Sequence, residues 1–150
     1  SSNHAVGLFE NDSPYKEIIN GEYENVPSDY NLIKPNCEVR PDSLYGVSKA
    51  YGENLGRFYF ENYGINVACL RIGSVIPEDN QLVKKSNRIF STWCSHNDIS
   101  GLIEACIDSN KIGYNIFYGV SNNKWKIWDI SNLNKQLSFI PESNAESFRK

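Results

Sequence analysis

Several features typical of common protein classes are missing from this sequence of 150 residues. No apolar run is long enough to span a bilayer, so we expect no membrane association. Lysine and arginine number 15 against 18 acidic residues, and no basic patch stands out, so we expect no nucleic-acid partner. Methionine is absent, and the chain starts at Ser1 without a signal-peptide profile. We therefore expect the chain to be a carboxy-terminal fragment of a longer protein.

Paired-cysteine motifs are also missing. The four cysteines are scattered, with no C-x-x-C motif and no spacing typical of zinc sites: Cys37, Cys69, Cys94 and Cys106. We therefore expect neither a metal site nor disulfide bonds. Cys69 and Cys106 fall inside apolar patterns, which predicts small buried core residues. Free thiols are typical of a reducing compartment, so a cytoplasmic protein is expected.

The segment 9–39 is rich in Asn, Asp, Glu, Tyr and Pro, and its prolines interrupt regular structure. The sequence predicts a long surface excursion here, with one short helical turn around Tyr15–Asn20. A loop of this length is unusual inside a compact domain, which favours an insertion or a lid.

The next part of the chain predicts a helix followed by a buried strand. Asp42 or Ser43 is suited to cap a helix whose apolar residues recur from Val47 to Tyr63, and Gly64 is suited to end it. Gly52 and Gly56 weaken such a helix, which suggests close packing against a neighbour at both positions. The β-branched and apolar run 65–72 is typical of a strand buried on both faces.

The same alternation continues to the end of the chain. A polar loop is expected from Pro77 to Lys85, and a helix capped at Asn97-Asp98 and ending near Gly113 follows. The run 114–118 predicts a second buried strand, 125–137 a short helix, and the tail from Glu142 a frayed one. The order helix, strand, helix, strand, helix indicates an α/β fold.

Tyr45 and Lys49 lie four residues apart near the predicted helix start and therefore share one face of the helix. A phenol loses its proton near pH ~10, and a nearby cation lowers that value toward neutrality. The pair is thus a candidate general base with its activating cation. The spacing alone also fits an ordinary helix start, in which the tyrosine packs and the lysine is solvated, because such pairs are common on helices.

Ser2, Tyr45 and Lys49 in this α/β order resemble the short-chain dehydrogenase/reductase superfamily, whose signature is a serine at a strand end and Tyr-x-x-x-Lys at a helix start. The surrounding RPDSLYGVSKAYGENLGRFY resembles its extended branch, the epimerase/dehydratase relatives. Four further motifs are similar to those of the uronate dehydrogenases: SSNH at 1–4, RIGS at 71–74, RIFSTW at 88–93 and YGVS at 118–121.

This resemblance implies NAD-dependent oxidation of a hexuronic acid at C1 to an aldarolactone. It implies that Tyr45 is the general base, that Lys49 binds the nicotinamide ribose and keeps the phenol acidic, and that Ser2 orients the reacting oxygen. The roles that it implies for other residues concern binding. Asn3, His4 and Ser74 would contact sugar hydroxyls, Arg88 would bind the uronate carboxylate, and Ile72 would approach the cofactor through its backbone.

One element of such enzymes is missing: the Gly-rich turn after the first strand that binds the dinucleotide. We therefore expect the carboxy-terminal part of a Rossmann-like doubly wound parallel sheet, without its nucleotide-binding half. NAD and NADP both remain open, as does assembly into a homo-oligomer. Two alternatives remain as well, namely a sugar-nucleotide epimerase or dehydratase and a non-catalytic nucleotide-binding remnant.

Overall fold

The computed structural model describes residues 1–78 and 86–149. A two-stranded parallel sheet lies at its centre, with β1 (Val67–Ile72) paired to β2 (Tyr114–Gly119). The α-helices of the described ranges are α1 (Tyr15–Asn20), α2 (Leu44–Tyr63), α3 (Ile89–Thr92), α4 (His96–Asp108) and α5 (Ser131–Leu137). The predicted α/β class is confirmed, and the predicted loop from Pro77 to Lys85 lies largely outside the described residues.

Helix α2 begins and ends where local chemistry predicts. The Ser43 hydroxyl accepts a hydrogen bond of 3.1 Å from the Gly46 N–H, and Gly64 ends the helix with a left-handed φ of 68°. Gly56 allows close packing, because a Cβ there would lie 2.8 Å from Cγ1 of Val67. The same prediction was wrong for Gly52, which has no atom within 4 Å of such a Cβ.

The apolar residues of α2 predicted the helix correctly, but most of them do not face the sheet. Its buried residues are Gly46, Ala50 and Glu53. The outer face carries exposed apolar and aromatic side chains: Val47, Tyr51, Leu55, Phe58 and Tyr59. Helical periodicity therefore identified the element without identifying its buried face.

The segment 9–39 is more ordered than the predicted surface excursion. It continues a 3₁₀ helix (Asn3–Asn11) and contains α1 at the predicted position. Ile18 and Ile33 are buried and belong to one core cluster with Tyr118 and Trp128. The expectation of a surface excursion was wrong for these two residues, which pack in the core although most of the segment is polar. The idea of an insertion stays a prediction.

Strand β1 is shorter than predicted, and one of its two buried residues is charged. It begins at Val67, and within it only Cys69 and Arg71 are buried, so burial on both faces is not observed. The Arg71 guanidinium donates to the two oxygens of Glu53 from Nε (2.9 Å) and Nη2 (2.8 Å). Its Nη1 donates to the hydroxyl of Tyr118 at 3.2 Å and to the carbonyl of Pro35 at 3.1 Å. A saturated ion pair thus lies between α2 and the sheet.

Helix α4 begins earlier than predicted, since its cap is Ser95, whose hydroxyl accepts from the Asp98 N–H at 3.0 Å. Asp98 instead binds the chain near the carboxy terminus, accepting from the backbone of Glu142 and Ser143. The tail then forms a short 3₁₀ helix (Ala145–Phe148). Across 1–78 and 86–149, no helix is long and apolar enough to cross a membrane.

Candidate active site

Ser2 lies at the carboxyl end of β1, where its backbone forms a parallel bridge with Ile72. Its side chain is buried, and its hydroxyl accepts a hydrogen bond of 3.3 Å from the His4 N–H at the start of the 3₁₀ helix. Ligands of open parallel sheets lie just beyond this edge. Ser2 and Ile72 are therefore neighbours at the edge where the sequence predicted the site.

The start of α2 is seated directly on the residues that follow Ser2. A Cβ at Gly46 would lie 2.2 Å from the carbonyl oxygen of His4, so a glycine is required at this contact. The ring of Tyr45 contacts the imidazole of His4 edge to face, with ring centroids 5.7 Å apart. The packing of one glycine thus brings the candidate base beside the Ser2–His4 segment.

Tyr45 and Lys49 lie on one face of α2, as their spacing predicted. The Lys49 Nζ lies over the tyrosine ring, 4.9 Å from its centroid. The phenol is half-exposed, with 54% of the residue accessible. A phenol accessible to a small molecule and held beside an ammonium is a suitable arrangement for proton transfer.

Asp42 is a residue of the site that the sequence assigned only to helix capping. Its Oδ2 lies 2.6 Å from Nδ1 of His4, so the carboxylate fixes the imidazole against Tyr45. Burial raises the pKa of Asp42, but hydrogen bonds from Ser43 and His4 and the charges of His4 and Arg88 outweigh it. The pKa of Asp42 is therefore lowered overall. Its position three residues before Tyr45 was the only available signal.

Asn3 is buried and incompletely paired. Its Oδ1 accepts a hydrogen bond of 3.3 Å from the Ser2 hydroxyl, while its Nδ2 has no hydrogen-bond partner among the described residues. A buried amide without a partner is uncommon and costs free energy. Asn3 therefore retains a donor that a hydroxylated ligand can satisfy.

Ser74 and Arg88 are connected through Thr92, the last residue of α3. The Ser74 hydroxyl lies 2.9 Å from that of Thr92, and the Thr92 hydroxyl donates to the carbonyl of Arg88 at 3.2 Å. The Arg88 side chain, however, forms a bidentate ion pair with Glu10, at 2.6 Å from Nε and 2.7 Å from Nη2. The sequence did not anticipate this pair, whose members are 78 residues apart and share no motif.

No group of three or more His, Cys, Asp or Glu residues within the described ranges could hold a metal ion. Two of the described residues have donors that could hold the ribose of a cofactor. The Lys49 ammonium and the Tyr45 hydroxyl are donors suited to ribose hydroxyls, and the open phenol leaves room for them to be reached.

No protein-family model matches the chain, but individual proteins and solved structures do. Uronate dehydrogenase of Agrobacterium fabrum is 39% identical over 150 residues, which is 100% of this chain and 48% of that protein. A crystal structure of uronate dehydrogenase from Agrobacterium tumefaciens has a TM-score of 0.75 at 38% identity, covering 99% of this chain and 47% of that one. A mutant of the same enzyme, complexed with NAD, has a TM-score of 0.72 at 35% identity over the same shares.

The chain spans about half the length of the curated relatives it matches. Its two-stranded parallel sheet and flanking helices correspond to the carboxy-terminal half of the uronate dehydrogenase structures. The four motifs at 1–4, 71–74, 88–93 and 118–121 had predicted this relationship from the sequence. By sequence over its whole length and by fold, the chain is similar to the uronate dehydrogenases.

Proposed function

We propose that the protein containing this chain oxidises a hexuronic acid at C1, with NAD as electron acceptor, and releases a lactone. The observation that carries the proposal is the contact of Tyr45 with His4, beside Ser2 at the carboxyl end of β1. A phenol, an imidazole and a serine hydroxyl thus line one sheet edge. Of these groups, the phenol can act as the general base for proton abstraction from an alcohol, and the other two can hydrogen-bond the substrate.

In the proposed reaction, the C1–H bond breaks with its electron pair and the C1 hydroxyl loses its proton, leaving the lactone carbonyl. Tyr45 in its phenolate form accepts that proton. The Lys49 ammonium over the tyrosine ring stabilises the negative charge of the phenolate. Ser2 donates a hydrogen bond to the C1 oxygen and orients it. Bound NAD supplies the hydride acceptor.

Binding of the sugar is assigned to the residues around this centre. The unpartnered amide of Asn3 and the imidazole of His4 bond ring hydroxyls, and Asp42 keeps the imidazole in place. Ser74 contributes a further hydroxyl contact. Arg88 binds the uronate carboxylate through charge-assisted hydrogen bonds. The backbone of Ile72 would contact the bound cofactor.

The test is an assay of the full-length protein with NAD and, separately, D-glucuronate, D-galacturonate and UDP-glucose. We expect NADH absorbance to rise with a free uronate, and Tyr45→Phe to lower kcat by about 10²–10⁴-fold. Tyr51→Phe is the matched control, since Tyr51 lies on the same helix with 68% of its surface exposed. NADH formed with UDP-glucose and with neither uronate would refute the proposal and favour a sugar-nucleotide enzyme.

A further inference from the structure

The proposed function assigns Arg88 to the substrate carboxylate. In the structure, Glu10 already binds one edge of its guanidinium. Its two oxygens accept from Nε and Nη2 of Arg88, at 2.6 Å and 2.7 Å. The side chain of Glu10 is 12% exposed and that of Arg88 is 27% exposed. The pair is therefore shielded from water and is not an ordinary surface ion pair.

The bond geometry shows which donors the pair uses. A guanidinium has five N–H groups in a planar fork. Glu10 takes the side formed by Nε and Nη2, while the two N–H groups of Nη1 and the second of Nη2 point along the other edge. A second carboxylate can therefore bind the same guanidinium through the remaining N–H groups, on the edge opposite the carboxylate of Glu10.

The charge around Arg88 also opposes a second anion. Burial lowers the pKa of Arg88, but its bond to Glu10 and the charges of Glu10 and Asp42 raise the pKa by more. The overall shift is therefore upward. Two carboxylates, those of Glu10 and Asp42, thus act on one guanidinium. Together the three groups carry one negative charge, to which the neighbouring His4 adds a positive charge only when protonated.

We propose that Glu10 sets the charge selectivity of the sugar site. Its negative charge offsets the positive charge of Arg88 and so reduces the preference of the site for a uronate over the matching neutral aldose. This inference rests on the proposed function of the same site. Glutamine at this position removes the charge and keeps an oxygen that can accept from Arg88, so it separates charge from orientation. The substitution therefore isolates the electrostatic effect.

The experiment compares wild type and Glu10→Gln with D-galacturonate and with D-galactose. We expect KM for galacturonate to fall roughly tenfold in the variant, because a like charge near the bound carboxylate is removed, while KM for galactose stays unchanged. Asp12→Asn is the matched control. It removes a carboxylate two residues away that pairs with Arg40 instead, and we expect it to leave the ratio of the two KM values unchanged.

An unchanged or higher KM for galacturonate in Glu10→Gln, or an equal shift for both sugars, would overturn the assignment. Calorimetric titration of galacturonate into wild type and variant provides a second readout that needs no turnover. If wild type forms no NADH with either galacturonate or glucuronate, the proposed function fails, while the ratio of the two galacturonate dissociation constants still tests Glu10. A ratio near one would refute the role of Glu10.

Discussion

Removing one member of the Arg71–Glu53 ion pair tests how the candidate catalytic helix is held on the sheet. The side chains are 1% and 3% exposed, and the pair is bidentate. Arg71→Met leaves the Glu53 carboxylate buried without its cation and removes the donor to the Tyr118 hydroxyl. Breaking a buried pair in this way costs about 3–5 kcal/mol. That is a large fraction of the ~5–15 kcal/mol by which domains are stable.

Replacing both members has a different expected result. In Glu53→Leu with Arg71→Met, no charge remains buried, and hydrophobic replacement of a buried pair is often neutral or stabilising. The double variant still loses the bonds of Arg71 to the Pro35 carbonyl and to Tyr118, worth about 1 kcal/mol each. We therefore expect it to be less stable than wild type by about 2 kcal/mol and more stable than Arg71→Met.

The measurement is urea denaturation of wild type, each single variant and the double variant, with the free energies compared as a double-mutant cycle. The exposed pair of Arg57 and Glu61, with side chains 60% and 54% accessible, is the control. Arg57→Met should cost no more than about 0.5 kcal/mol. A loss in Arg71→Met no larger than in this control would refute the idea that the pair holds α2 on the sheet.

Three further predictions concern packing, acid stability and cofactor binding. Gly56→Ala should destabilise the fold by about 1–2 kcal/mol in urea denaturation, because its Cβ meets Val67, whereas Gly52→Ala should stabilise it by up to ~1 kcal/mol; equal effects would contradict the packing. Asp42 has a lowered pKa, so its contribution to stability is present above about pH 4 and is lost as pH falls through its folded pKa. Asp42→Asn should flatten the loss of stability in that acid range, and an unchanged acid-unfolding curve would contradict it. The 150-residue chain alone should show no micromolar NAD binding by calorimetry, because it contains no Gly-rich dinucleotide turn, and micromolar binding by a folded monomer would show this reasoning to be wrong.

Sequence reasoning succeeded where a short stretch of chain carries its own structural signal. The ends of α2 were predicted at Ser43 and Gly64 because a capping hydroxyl and a left-handed glycine act within one turn of the helix end. The pairing of Tyr45 with Lys49 follows from helical geometry alone. These features need no knowledge of the remainder of the chain.

The features that sequence reasoning missed depend on contacts between distant segments. Glu10 meets Arg88 only because the 3₁₀ helix after Ser2 and the start of α3 converge at one sheet edge. Ile18 and Ile33 lie in a segment that is rich in polar residues, yet the fold brings them into one core cluster with Tyr118 and Trp128. No local pattern encodes either contact.

The seat of Gly46 on the carbonyl oxygen of His4 has a consequence for how such a site can diversify. Every residue has a backbone carbonyl, so this contact between α2 and the chain after Ser2 does not depend on the side chain at position 4. A substitution at Asn3 can therefore change the polar groups beside Ser2 while α2 keeps this contact, whereas a substitution at His4 also removes the ring contact with Tyr45. Gly46, in contrast, cannot be replaced without a change in the packing, because any side chain there would displace α2 and Tyr45 with it.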